Sequence, residues 1–285
     1  KMKILITGAN GFVGCRVARF LGMSHQVIAL SSKDLDITDI DAVYSVVMDH
    51  LPKAIIHLAA LSDPGYCQQN PEDSKIVNLE GTINVARAAA AVGAKMIFAS
   101  SDQVYSGLLE EEPFVETLEL SPVGVYGQHK LAAETAMLSL LPNAVALRFT
   151  WMYDIPASPL RQNQGILVRL MKAAEQRQPL YVSTQETRGI THVWEVVRRI
   201  EGTIGLPGGV YNFGATNEVS TFDTYRAAAQ FLMTTGFIEM EPHDLVQPSE
   251  DPHRSLSISL AKLERFGLTF PNSIAGLRTA LLHSI

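Results

Sequence analysis

The chain is 285 residues long, enough for one large α/β domain or for a domain with a smaller lobe. Hydrophobic residues make up 47% and charged residues 18%, a balance that excludes a disordered chain, while 23 Lys and Arg against 29 Asp and Glu leave a formal charge of −6 with no basic block, which argues against nucleic acid as a partner. No apolar run reaches the roughly 18 residues of a spanning helix. With Cys15 and Cys67 the only cysteines and without metal-ligand spacing, no membrane contact is expected and the reducing cytoplasm is the expected compartment.

In the first half, short β-branched runs alternate with longer stretches of helical period, the signature of parallel strands joined by crossover helices. Strands are predicted at 3–7, 26–30, 54–57, 95–99 and 144–148, and helices at 41–50, with Ala42, Val43, Val46 and Val47 on one face, and at the Ala-rich 82–92. This is an α/β fold with a doubly wound parallel sheet. Beyond Arg148 the rhythm weakens. Residues 154–159 read as loop and 164–176 as a helix, then 193–201 (helix) and 209–213 (strand) look able to rejoin the sheet before helices at 221–232 and 274–282. The expected division is residues 1–150 plus about 187–214 for the nucleotide-binding (Rossmann) domain, and about 151–186 with 215–285 for a smaller C-terminal substrate lobe.

The first strand runs into Thr7-Gly8-Ala9-Asn10-Gly11-Phe12-Val13-Gly14 and then an apolar-periodic helix. Glycines at 8, 11 and 14 give a tight turn, let backbone N–H groups approach a pyrophosphate, and let the helix pack close to the sheet. Gly8, Asn10, Gly11, Phe12 and Val13 are therefore candidate dinucleotide contacts. After the second strand no acid follows directly; Ser31, Ser32 and Lys33 offer small donors and a cation that suit a 2′-phosphate, which points to NADP ahead of NAD. Asp36 and Ile37 stand where such folds present a side chain and backbone to the adenine.

Tyr126 and Lys130 lie four apart, so on a helix they share one face, and Ser101 closes the strand before them. A carbonyl that accepts a hydride needs a proton from a positioned donor, and a tyrosine hydroxyl can provide it. A neighbouring Lys⁺ favours phenolate; bringing Tyr126 to about 7 takes roughly 4 kcal/mol of differential stabilisation. Ser101 would hydrogen-bond the same carbonyl oxygen. Each residue also has a plain structural reading: a packing tyrosine, a surface partner of Glu134, a strand-end cap.

Together these residues resemble the extended short-chain dehydrogenase/reductase superfamily, and within it the dTDP-4-dehydrorhamnose reductases. The resemblance runs through the glycine turn, Asp34-Leu-Asp-Ile-Thr-Asp39, His57-Leu-Ala-Ala60, Val77-Asn78-Leu-Glu-Gly81-Thr82, Ser100-Ser-Asp102, Tyr126-Gly-x-x-Lys130-Leu, Arg148-Phe-Thr-Trp151 and Arg254-Ser-Leu256. It implies NADPH-dependent reduction of a nucleotide-linked 4-keto-6-deoxy sugar: hydride to C4, proton from Tyr126, ribose contacts from Lys130 and orientation by Ser101. It further implies cofactor contacts at Leu58, Ala59, Ala60 and Asn78, and substrate contacts at Asp102, Trp151 and Arg254. Gln103 replaces the carboxylic acid that 4,6-dehydratases use to expel water. Two other readings stay open, a nucleotide-sugar epimerase and a non-catalytic NADP-binding subunit resembling the regulatory β subunit of methionine adenosyltransferase, and the chain is expected as monomer or homodimer.

The remaining residues take bland readings. His57 reads as a core histidine satisfied by backbone as readily as a cofactor contact. His25, His50, His129, His192, His243, His253 and His283 show no metal-binding spacing, so no metal is expected. Arg254 reads equally as a pyrophosphate fork and as a surface ion pair.

Overall fold

A computed structural model describes residues 1–109 and 113–282; His283 lies outside the described residues. The chain divides into two compact units. The first takes Lys1–Leu108, Glu116–Phe149 and Val197–Asn212; the second takes Leu109 and residues 113–115, 150–196 and 213–282.

The first unit is built on a six-stranded sheet. Strands β1 (Lys3–Thr7), β2 (Gln26–Leu30), β3 (Ala54–His57), β4 (Lys95–Ser101) and β5 (Val145–Phe149) are joined by the strand Gly209–Phe213, in the order Gly209–Phe213, β5, β4, β3, β1, β2. The registered pairs run parallel, with Thr7 opposite both Leu30 and His57, His57 opposite Phe98, and Ser100 opposite Arg148. The order reverses at β1, where β2 goes to one side and β3 to the other, and folds of this kind bind ligands in the crevice beyond the strand ends at that point.

The helices α1 (Gly14–Gly22), α2 (Ile40–His50), α3 (Gly81–Val92) and α4 (Val125–Leu140) connect these strands. Asp39 starts α2 by accepting the N–H groups of Asp41 and Ala42, each at 3.0 Å. Val43 and Val47 of α2, Val85 and Ala89 of α3, and Ala133 and Met137 of α4 pack with Leu5, Ile55, Met96 and Phe98 of the sheet. Burial of this apolar stripe, more than helix propensity, fixes the helices.

Strand β4 runs two residues beyond the predicted end at Ala99, because Ser100 and Ser101 continue the ladder with β5 opposite Arg148 and Phe149. Strand β5 is shifted one residue from 144–148 for the same reason.

In the second unit, helices Ile166–Gln176, Thr221–Thr234 and Ser273–Leu282 pack through Ile166, Leu170, Tyr225, Leu232 and Leu277. Six short strands pair in parallel: Trp151–Tyr153 with Ile190–His192, Leu180–Ser183 with Val246–Ser249, and Glu186–Arg188 with Arg254–Leu256. At three or four residues each they carry too little period to be read from sequence. Among the described residues no helix is long and apolar enough to cross a membrane.

Candidate active site

The glycine-rich turn leaves β1 at Thr7 and is tied to the end of β2 by the Ala9 N–H on the Leu30 carbonyl at 3.0 Å. Gly8 has φ +67°, and a Cβ there would stand 2.7 Å from the Ala59 nitrogen, while a Cβ on Gly14 would overlap the Gly8 carbonyl oxygen. Only glycine allows both the left-handed turn and this backbone contact. Val13, before α1, offers no side-chain cap, and no acid lies in the first turn. The Cys15 and Arg16 N–H groups turn instead to the Gly11 and Val13 carbonyls at 3.1 Å each, so a pyrophosphate would be met by the backbone of the turn ahead of them. Asn10 is exposed at the tip of the turn, with Gly11, Phe12 and Val13 partly exposed after it. Arg16 is wholly buried, its guanidinium 4.4 Å above the Phe12 ring and its Nη1 donating to the Phe12 carbonyl at 2.6 Å.

The end of β2 differs from the sequence reading. Four residues on, Asp34 folds back and its Oδ2 accepts the Ser31 N–H at 2.8 Å and the Ser31 hydroxyl at 2.6 Å. An acid therefore does stand at the strand end, and it occupies the Ser31 proton offered to a 2′-phosphate. These Ser31 bonds, then the charge of Lys33, hold the Asp34 carboxyl below its ordinary range. Ser32 and Lys33 are exposed. Asp36 accepts the Thr38 N–H and hydroxyl at 2.9 and 2.7 Å, whereas the Ile37 side chain is buried in the core and its carbonyl accepts from Asn84 at 3.0 Å.

Leu58, Ala59 and Ala60 follow β3 and are partly exposed beside the turn. Asn78 is fully buried in a π-helical segment, Lys75–Glu80, where its amide clasps the backbone of Leu61, accepting from N and donating to O at 3.0 Å each. Such π segments mark places where a helix is distorted to aim a side chain.

Ser101 ends β4, and its hydroxyl accepts the Gln103 N–H at 3.1 Å and donates to the Asp102 carboxylate at 3.4 Å. Tyr126 and Lys130 lie on α4, both buried, and the Lys130 ammonium stands 5.7 Å from the Tyr126 ring centre. The first unit thus brings Ser101, Asp102, Tyr126 and Lys130 together at the strand ends. The expected electrostatics do not follow. Lys130 donates to the Ala99 carbonyl at 2.8 Å and lies 4.6 Å over the Phe98 ring, and burial pulls its pKa down to about 7. The Tyr126 phenol is pushed above its ordinary value, by burial first and then by the Asp102 carboxylate and Cys67, with the Ser101 hydroxyl working the other way. A lysine whose ammonium is buried and turned to a backbone carbonyl does not lower the phenol.

Sequence reasoning missed what holds α4 in place. Glu134, one turn beyond Lys130 on the same face, makes a buried two-pronged pair with Arg148 of β5 (Nη2 to Oε2 at 2.7 Å, Nε to Oε1 at 3.0 Å) and accepts the Ser100 hydroxyl at 2.5 Å. Arg148 also donates to the Tyr105 hydroxyl at 2.8 Å, which in turn donates to Asn212 at 2.7 Å. The recurrence of Tyr126, Lys130 and Glu134 at four-residue intervals was the signal available. His57 is satisfied by two threonine hydroxyls, Thr7 and Thr82, and not by backbone.

In the second unit Trp151 is partly buried, stacked on Tyr225 with ring centres 6.4 Å apart, with the guanidinium groups of Arg188 and Arg169 at 5.3 and 5.9 Å from its ring. Arg254 is exposed and pairs with Glu186 at 3.3 Å.

This arrangement, a glycine cradle at the sheet's switch point with a serine, tyrosine and lysine at the neighbouring strand ends, defines a nucleotide-dependent short-chain oxidoreductase architecture. The model of the RmlD substrate binding domain family matches residues 2–281, and the chain belongs to that family. It is 38% identical over 152 residues, 53% of this chain and 46% of the other, to the dTDP-4-dehydrorhamnose reductase of Mycolicibacterium smegmatis. It is 25% identical over 290 residues, 95% of each chain, to the enzyme of that name from Burkholderia thailandensis. Among solved structures, dTDP-4-dehydrorhamnose reductase from Bacillus anthracis, in complex with NADP, superposes with a TM-score of 0.86 at 23% identity over 100% of both chains. UDP-glucose 4-epimerase of Thermus thermophilus, in complex with NAD, gives 0.79 at 20% identity over 99% of this chain and 98% of that one. At these identities the structures speak to the fold.

Proposed function

We propose that the chain reduces a nucleotide-linked 4-keto-6-deoxy sugar with NADPH, or less readily NADH, as a dTDP-4-dehydrorhamnose reductase does. The observation that carries this reading is the meeting of Ser101, Tyr126 and Lys130 at the strand ends of the unit that holds the glycine cradle. The cradle fits a dinucleotide, because Gly8 and Gly14 leave no room for a Cβ and the first turn of α1 carries no acid to repel a phosphate. Gly8 through Val13, the end of β2, residues 58–60 and Asn78 would hold it. When bound, the reduced dinucleotide supplies the hydride.

The protein's own part is to orient the carbonyl and deliver a proton. The Ser101 hydroxyl, fixed by the Gln103 N–H, directs the substrate oxygen. Tyr126 holds a proton on its Oη at neutral pH, since burial raises the phenol, and reduction starts from that protonated form. Lys130, anchored on Ala99, supplies a cation beside the ring for the ribose hydroxyls. Asp102, Trp151 and Arg254 are assigned to the sugar nucleotide. Gln103 stands where a dehydratase needs an acid and has no proton of that kind to give. Cys15 and Cys67 are free thiols, in keeping with work in the cytoplasm.

The test is a panel of 4-keto nucleotide sugars with NADPH and NADH, with dinucleotide binding measured in parallel. Oxidation of NADPH driven by a dTDP-4-keto-6-deoxy sugar supports the reading. Tight binding of the dinucleotide without turnover of any sugar refutes it in favour of a binding module.

A further inference from the structure

We propose that His57 is a positioning residue for the dinucleotide cradle: its neutral ring, protonated on Nε2, joins the glycine-rich turn to the Asn78 clasp and fixes residues 58–61 between them. The inference rests on the dinucleotide reading of that cradle. His57 ends β3, wholly buried, with Nδ1 at 2.7 Å from the Thr7 hydroxyl and Nε2 at 3.1 Å from the Thr82 hydroxyl.

The proton placement follows from counting donors. The Thr82 hydroxyl has one proton and gives it to the Asn78 carbonyl at 2.8 Å. With that proton given to Asn78 the hydroxyl accepts from His57, which assigns the hydrogen to Nε2. A neutral ring then leaves Nδ1 bare, and it accepts the Thr7 proton. Thr7 is left with lone pairs, which face the Ala59 N–H at 3.3 Å. At the far end the Asn78 amide clasps Leu61 on both its N–H and its carbonyl. Every donor in this chain meets an acceptor in one direction only, which makes the ring a fixed connector between clamps at Ala59 and at Leu61.

Two neighbours keep the ring neutral and in plane. Phe98 stacks on it with centres 5.8 Å apart and planes within 20°, and the Lys130 ammonium lies 4.6 Å over the same Phe98 ring. An imidazolium here would be a second buried cation. The effect reaches the cradle because Gly8 approaches the backbone of Leu58 and Ala59 so closely that a Cβ there would stand 2.7 to 2.8 Å from it. A displaced 58–61 segment cannot leave the turn where it is.

The full chain is tested by NADPH titration, steady-state kinetics and nitrogen NMR of the histidine rings. The wild-type spectrum is expected to show a neutral His57 with its proton on Nε2. In Thr82→Val the proton is expected to move to Nδ1, where Thr7 can accept it, and Thr82→Ser is expected to restore the wild-type tautomer. His57→Phe is expected to raise the NADPH Kd and KM about tenfold with kcat little changed, a split that simple loss of folded protein does not give. His57→Asn, which keeps the Thr7 link, and His57→Gln, which keeps the Thr82 link, are expected to fall between. Should His57→Phe fail to fold, Thr82→Val decides by the same readouts. A wild-type proton on Nδ1, or an unmoved proton in Thr82→Val, overturns the proposal. So does unchanged NADPH affinity in the folded variants. A wild-type chain that binds no dinucleotide overturns the functional reading and the positioning role together, whereas binding that the variants leave intact overturns the positioning role alone.

Discussion

Glu134→Gln is the perturbation whose cost the structure defines best. Both side chains of the Glu134–Arg148 pair are 3% exposed, so the carboxylate cannot be replaced by water. The amide introduced by Glu134→Gln would keep one acceptor oxygen for Ser100 or Arg148 but would leave the guanidinium buried with the Tyr105 hydroxyl as a neutral partner. Removing one member of a buried ion pair costs about 3–5 kcal/mol, and the retained acceptor places this variant near 3 kcal/mol. Arg148 is itself held charged: burial opposes the charge, and the bonds to Glu134 more than offset it. Both tryptophans, Trp151 and Trp194, belong to the second unit, so their fluorescence reports the wrong part of the chain. Native-state hydrogen exchange of the α4 amides is the suitable assay, and about 3 kcal/mol corresponds to roughly a hundredfold loss of protection. Adding Arg148→Met removes the stranded charge and is expected to recover at least half of the loss. A change below about 1 kcal/mol in Glu134→Gln, or a double variant worse than the single, would refute the view that this pair anchors the helix of Tyr126 and Lys130.

Asp34→Asn keeps an acceptor for Ser31 but removes the charge at the end of β2, and the ratio of NADH to NADPH dissociation constants is expected to rise about fivefold as repulsion of the 2′-phosphate is relieved. An unchanged ratio by direct titration contradicts that role. His57, with a pKa near 3 in the fold against 6.5 as the ordinary value, binds fewer protons folded than unfolded between those pH values. Its contribution to stability is therefore complete above about pH 6.5 and is lost as pH falls toward 3; urea unfolding at stepped pH should show a shallower acid limb in His57→Phe, and equal slopes would count against a neutral buried ring. Gly14→Ala forces a Cβ into the Gly8 carbonyl and is expected to lower both the melting temperature and NADPH affinity, the latter about tenfold or more; wild-type binding by calorimetry would remove the cradle argument.

Strands β1, β2 and β3 could be read to the residue because each is a short apolar, β-branched run flanked on at least one side by turn residues, and the glycine spacing marked the tight turn and helix start after β1. Only the end of strand β4 resisted, because Ser100 and Ser101 carry no β-branched signal and join the ladder through their pairing with Arg148 and Phe149 of β5. The Tyr126 and Lys130 pairing was legible from a local four-residue interval. Its electrostatics were not, since the direction of the Lys130 ammonium is set by the Ala99 carbonyl on a different element. The same holds for the partners of His57, which come from β1 and α3, and for Arg148 on Glu134: contacts across elements leave no period in the sequence. Asp34 was misjudged for a smaller reason. A strand-end acid was sought at the residues directly after Leu30, and the chain delivers it by a four-residue turn.

The most direct test of the central claim, that the Tyr126 phenol delivers the proton, is turnover of dTDP-4-dehydrorhamnose with NADPH by Tyr126→Phe, alongside titration of NADPH binding. The expected result is a kcat reduced about 10²–10⁴-fold with NADPH affinity within about twofold of wild type. A variant that retains wild-type kcat would show that another group supplies the proton.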